Sequence, residues 1–140
     1  MSHCCPAAVI TCIDFRFWQK LTAYFEEQGL GEYDLIAMAG GAKNVLDEDT
    51  REIIFNQLDI CTCKHEIRKV YLVNHVDCGA YGGSSAFASS EVEEDKLTGD
   101  LAQAKKIITK KYPKLEIITL LMKFDKIRTI ENKLAESRQQ

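Results

Sequence analysis

Cysteine and histidine are the side chains best suited to hold a borderline-soft metal ion. This sequence places them in two short segments, Cys12-Ile13-Asp14-Phe15-Arg16 and His75-Val76-Asp77-Cys78-Gly79. His75 and Cys78 stand three apart, a spacing that on a turn lets both face one ion, and Cys12 on an adjacent strand completes a three-ligand site. Thiolate and imidazole donors select zinc over magnesium or calcium, which prefer all-oxygen shells. Three protein ligands leave one place for water. Thiolates alone neutralise the divalent charge, so that water is less acidified than in an all-histidine site and needs help from its neighbours. Asp14 and Arg16 alternate with Cys12 along the chain as it leaves the strand. A carboxylate at Asp14 can accept a hydrogen bond from the water and fix its lone pair toward a substrate. Arg16 can pair with Asp14 and keep it off the metal.

Elements of secondary structure must bring these segments together. Ala7 to Cys12 is an almost wholly apolar run without alternation, which suits a strand covered on both faces. Phe17, Leu21, Tyr24 and Phe25 follow at helical spacing, with Gly29 and Gly31 as the stop. Asp34 to Ala39 reads as a second buried strand ending in Gly40-Gly41. Asp49 or Thr50 caps a helix with Ile53, Ile54, Leu58 and Cys61 on one face, ending near Lys64. Val70 to Asn74 is a third strand with His75 at its carboxyl end. Leu97, Leu101, Ala104, Ile107 and Ile108 mark a helix closed by Pro113, before a strand from Glu116 to Met122. Gly82 to Glu94 reads as a mobile loop or short helix, and the charged tail after Asp125 as a helix.

Strands alternating with helices define an α/β fold: a mainly parallel central sheet flanked by helices, with right-handed crossovers. A strand order of 2-1-3-4 makes the first and third strands neighbours at the point where the winding reverses. Ligands of open α/β sheets gather there, beyond the carboxyl ends of the strands. Cys12 and His75 both lie at such ends.

The 140 residues are the length of one domain, 1–140, and 46% hydrophobic with 28% charged residues is an ordinary globular composition. A net charge of -3 gives no broad attraction for phosphate backbones or anionic lipid, so neither nucleic acid nor membrane is expected as a partner. No basic leader and no long apolar run is present, which points to the cytoplasm. A reducing compartment keeps the six cysteines as thiols, hence ligands or core residues. Cys61-Thr62-Cys63-Lys64-His65, with His3, Cys4 and Cys5, suggests a second metal site. Residues two apart on a helix face different ways, however, and core or incidental thiols are the better reading of Cys61 and Cys63. Asp77 reads as a cap for the turn after the third strand, and Gly40, Gly41 and Gly79 as backbone geometry. Phe15, Phe17, Trp18 and Tyr81 suit either an apolar pocket or core packing.

The pairing of Cys12-x-Asp14-x-Arg16 with His75-x-x-Cys78-Gly79, and an Ala39-Gly40-Gly41 loop between them, resembles the β-class carbonic anhydrases over roughly residues 7–122. The resemblance implies that Cys12, His75 and Cys78 bind Zn2+ and that Asp14 and Arg16 form a water-orienting dyad. The implied reaction is attack of zinc-bound hydroxide on carbon dioxide to give bicarbonate, by a homodimer or higher homo-oligomer. Ile36, Ala37 and Met38 stand before Ala39, where the family usually carries an arginine and an asparagine. Two other readings use the same residues. One is hydrolysis of carbonyl sulfide or carbon disulfide; the other is a non-catalytic zinc-binding or redox-sensing protein, suggested by the surplus cysteines and the missing arginine.

Overall fold

The structure, a computed structural model, describes residues 3–130. Its elements in chain order are β1 (Ala7–Thr11), α1 (Trp18–Glu27), β2 (Asp34–Ala37), α2 (Lys43–Leu46), α3 (Glu48–Cys63), β3 (Lys69–His75), α4 (Ser90–Lys111), β4 (Glu116–Met122) and β5 (Ile127–Ile130). They form one sheet of order β2-β1-β3-β4-β5, parallel except for β5. The expected α/β architecture and the 2-1-3-4 order of the parallel strands are both present.

Every residue of β1 is buried, because the sheet is covered on both faces. Successive side chains of a strand point to opposite faces, so Ala8 and Ile10 pack with Ile54 and Leu58 of α3 and Leu101, Ala104 and Ile108 of α4. Ala7 and Val9 pack on the other face with Leu21 and Phe25 of α1 and with Leu120. Phe25 is fully buried, its ring 5.0 Å from that of Tyr33 and 4.8 Å from that of Tyr71. This two-sided core holds β1 and β3 rigidly, and both carboxyl ends emerge together.

Three expectations need correction. The second strand ends at Ala37 and buries only Ile36, because it lies at the sheet edge, and α3 already begins at Glu48, ahead of the caps expected at Asp49 or Thr50. The segment after Asp125 does not continue as a helix: Ile127–Ile130 pairs antiparallel with β4 as an edge strand. Lys123 N–H donates to the Lys126 carbonyl at 2.8 Å, which closes a tight turn. The β-branched Ile127, Thr129 and Ile130 then favour a pleated strand over the helix that the charges suggested. The rest of that tail, residues 131–140, lies outside the described residues. The segment from Gly82 to Glu94 takes the helical of its two expected forms. It contains a 3-10 turn at Ser84–Ala86, and α4 starts at Ser90, where the Ser89 hydroxyl caps the Val92 N–H at 3.2 Å. Among the described residues no helix is long and apolar enough to cross a membrane.

Candidate metal centre

Parallel pairing sets Ile10 beside Leu72, so two residues further on Cys12 lies level with Asn74, next to His75 at the end of β3. Beyond His75 the chain reverses through Asp77, whose φ of +57° is left-handed. Aspartate tolerates that region better than most residues. The reversal returns Cys78 toward Cys12, and the two sulfurs stand 3.9 Å apart. Two thiolates on one tetrahedral zinc, with bonds of about 2.3 Å, sit about 3.8 Å apart. The ligand atoms of Cys12, His75 and Cys78 all lie within 4.8 Å of one another.

His75 is buried, with Nδ1 2.7 Å from the Val76 carbonyl. A carbonyl only accepts, so Nδ1 carries the proton and Nε2 presents a lone pair. Among the described residues Nε2 is the only buried side-chain nitrogen or oxygen without a hydrogen-bond partner. Leaving such an atom unsatisfied costs about 1–3 kcal/mol, and a metal ion is the partner its position suits. The Phe17 ring, 4.4 Å from the imidazole, seals one side. The two thiols hydrogen-bond each other. Their mutual hydrogen bond holds Cys12 low, helped by the Gly40 N–H against burial, and pushes Cys78 up together with burial. The residues therefore fit a soft divalent cation, and Cys12 is already disposed toward the thiolate.

The Ala39-Gly40-Gly41 loop closes over Cys12. Gly40 N–H points at the Cys12 sulfur at 3.4 Å. Gly41, at φ +52°, approaches so closely that a Cβ there would lie 2.4 Å from the Val73 carbonyl oxygen. Two asparagines that the sequence reading passed over anchor this loop. Asn74 accepts from Ala42 N–H at 3.2 Å and donates to the Leu97 carbonyl at 3.0 Å, while Asn44 donates to the Ala39 and Gly41 carbonyls at 2.8 and 3.0 Å. They brace the segment that Met38 precedes in place of an arginine.

Asp14 stands beside the three donors, its Oδ2 3.8 Å from His75 Nε2. Arg16 grips it with Nε to Oδ1 at 3.0 Å and Nη2 to Oδ2 at 2.7 Å, and the Arg16 N–H adds a bond to Oδ1 at 2.9 Å. Those bonds hold the carboxyl at about 2, against partial burial that would raise it. Asp77, read from the sequence as a turn cap, does more. Its Oδ1 does accept the Ser84 N–H at 2.8 Å, but Oδ2 takes Arg16 Nη1 at 2.9 Å and its carbonyl takes Nη2 at 2.9 Å. Behind it the buried Glu93 accepts the Asp77 N–H at 2.8 Å and the Ser84 hydroxyl. A hint for Asp77 was its place between two candidate donors, whereas Glu93 had none within its acidic stretch. Of the aromatic residues considered for a pocket, Phe17 is core, Phe15 and Trp18 are exposed, and Tyr81 donates to Asp100 at 2.7 Å.

A five-stranded, mainly parallel sheet carrying Cys, His and Cys donors at its switch point belongs to a recognisable structural class. Carbonic anhydrase from Glaciozyma antarctica superposes with TM-score 0.63 at 17% identity, covering 94% of this chain and 85% of that one. The β-carbonic anhydrase CafA of Aspergillus fumigatus gives 0.66 at 12% identity, covering 98% and 81%. A family model described as "Putative carbonic anhydrase" matches residues 2–130, and the chain belongs to that family. Among sequence relatives, an uncharacterized protein of Rickettsia bellii is 27% identical over 124 residues, 84% of this chain and 76% of that protein. One from Rickettsia conorii is 26% identical over the same length, 84% and 67%.

Proposed function

We propose that the chain is a single zinc-binding domain that hydrates carbon dioxide reversibly to bicarbonate. Cys12, His75 and Cys78 would hold the ion, with Asp14 and Arg16 as the orienting dyad. The observation that carries this reading is the partnerless Nε2 of His75, facing two sulfurs 3.9 Å apart beside a carboxylate that Arg16 holds to one side. Family membership and fold support it. Zinc in such a site supplies a Lewis acid that lowers the pKa of a coordinated water.

The protein supplies position and charge. With its carboxyl at about 2, Asp14 is an acceptor only at neutral pH, so it orients a water by taking its proton-bearing side. The fork of Arg16 fixes the plane of that carboxylate, and Asp77 and Glu93 fix Arg16. Phe17 excludes solvent behind His75. Exposed Ile13, Phe15 and Trp18 leave the chain after β1 apolar at the surface, which supports association with a second copy.

Metal analysis paired with stopped-flow hydration tests the reading. We expect one zinc at these residues and bicarbonate formation that Cys12→Ala and Asp14→Asn abolish with folding intact. Turnover of carbonyl sulfide or carbon disulfide without carbon dioxide hydration would move the site to that substrate. Bound zinc with no turnover of either would make the domain a binding module.

A further inference from the structure

At the opposite end of the sheet, where the strands begin, a second group of soft and borderline donors converges. Cys5 precedes β1, Asp34 opens β2 and His65 follows α3, and one ligand atom from each lies within 4.8 Å of the other two. The backbone already joins these segments, with Cys5 N–H donating to the His65 carbonyl at 3.0 Å. His65 Nδ1 lies 2.6 Å from Asp34 Oδ2. Cys63 is exposed and Cys61 lies outside this cluster, so the helical-spacing objection to an ion shared by Cys61 and Cys63 does not touch it. All three side chains are partly withdrawn from solvent.

We propose that Cys5, Asp34 and His65 form a second zinc site that clips the starts of β1 and β2 to the end of α3. A sulfur, nitrogen and oxygen set of this kind selects zinc. Binding exchanges the proton between His65 and Asp34, and that of the Cys5 thiol, for the cation. The clip has mechanical purpose. β2 is a four-residue edge strand with Leu35 exposed, paired to the sheet through β1 alone, and a cross-link at its first residue restrains it. The inference does not rest on the proposed hydration activity.

The test is zinc stoichiometry on reduced, metal-stripped protein, titrated with zinc alone. Wild type should take two equivalents per chain, Cys12→Ser one, and Cys5→Ser, Asp34→Asn and His65→Gln one each. In the Cys12→Ser background zinc should raise Tm, and adding His65→Gln should remove that rise. A wild type that takes one equivalent, lost in Cys12→Ser, overturns the proposal. So does a second equivalent that Cys5→Ser and His65→Gln leave in place. If instead the Cys12 site were the one that failed, wild type would take one equivalent that Cys12→Ser spares and Cys5→Ser abolishes.

Discussion

Replacing Arg16 with glutamine isolates the device that keeps Asp14 beside the donors rather than among them. Arg16 makes two bonds to the Asp14 carboxylate through its guanidinium and two more to Asp77. The Asp14 carboxyl falls from 3.8 to about 2 in the folded protein, chiefly through those bonds, which by linkage is worth roughly 2 kcal/mol. Because Asp14 is depressed, this stability is present above the unfolded pKa and is lost as pH falls through about 2. Arg16 is 33% exposed, and solvent screening brings the loss to about 1 kcal/mol at neutral pH. The fold should therefore survive. What should not survive is the geometry: with the fork gone, a carboxylate whose Oδ2 already lies 3.8 Å from His75 Nε2 can turn toward the three donors and close the open coordination position. We expect Arg16→Gln to keep its zinc, to unfold at slightly lower denaturant and to lose hydration by about 100-fold, the upper range for removing an outer-shell partner. The assay is stopped-flow hydration with zinc quantified on the same samples. Hydration within roughly threefold of wild type, with zinc in place, would refute the reasoning, since it would mean that the guanidinium has no part in placing the carboxylate.

Gly41→Ala must relieve a 2.4 Å approach to the Val73 carbonyl and hold a left-handed φ of +52°; denaturation should show a loss of about 2–4 kcal/mol, and a change under 0.5 would contradict it. Glu93→Gln turns one face of a buried acceptor of the Asp77 N–H and Ser84 hydroxyl into a donor. Hydration should fall several-fold with zinc content unchanged, and Glu93→Asp should recover part of it; zinc loss in step with activity would mean a merely structural role. His75→Gln should bind zinc at least 10-fold more weakly, measured by competition with a chelator, and unchanged affinity would remove Nε2 from the ligand set. Asp14 stays ionised far below neutrality, so any limb of the hydration profile between pH 5 and 9 should persist in the Arg16→Lys variant; a limb that disappears would assign the titration to the dyad.

The readable parts of this protein were those where one physical demand controls several residues. The almost wholly apolar run Ala7 to Cys12 had to be covered on both sides, and the strand it forms, Ala7–Thr11, is. The run from Glu116 to Met122 became β4 with those bounds. Cys12, His75 and Cys78 were legible because strand ends and a three-residue spacing are local facts, and the structure does bring them together. What escaped depends on partners distant in sequence. Nothing near Glu93 shows that it is buried against Asp77, and nothing near Asp34 shows that it meets Cys5 and His65. β5 escaped for another reason: in Ile127-Arg128-Thr129-Ile130 the β-branched residues decide the backbone, while the charges around them drew the helix reading.

Asp77 ties the donors and the dyad into one unit. It lies between His75 and Cys78, and its left-handed backbone makes the reversal that brings the second sulfur to the first. The same residue gives a side-chain oxygen and its carbonyl to Arg16, which in turn fixes Asp14. A displacement of this turn would change the separation of the donors and the plane of the orienting carboxylate at once. Neither can drift alone, because Ser84 and Glu93 hold the Asp77 carboxylate and amide from the far side. The loop that reads as soft in sequence is therefore the buttress of the site. Its order follows from the buried Glu93, whose desolvation is offset only when the Asp77 amide and the Ser84 hydroxyl both reach it.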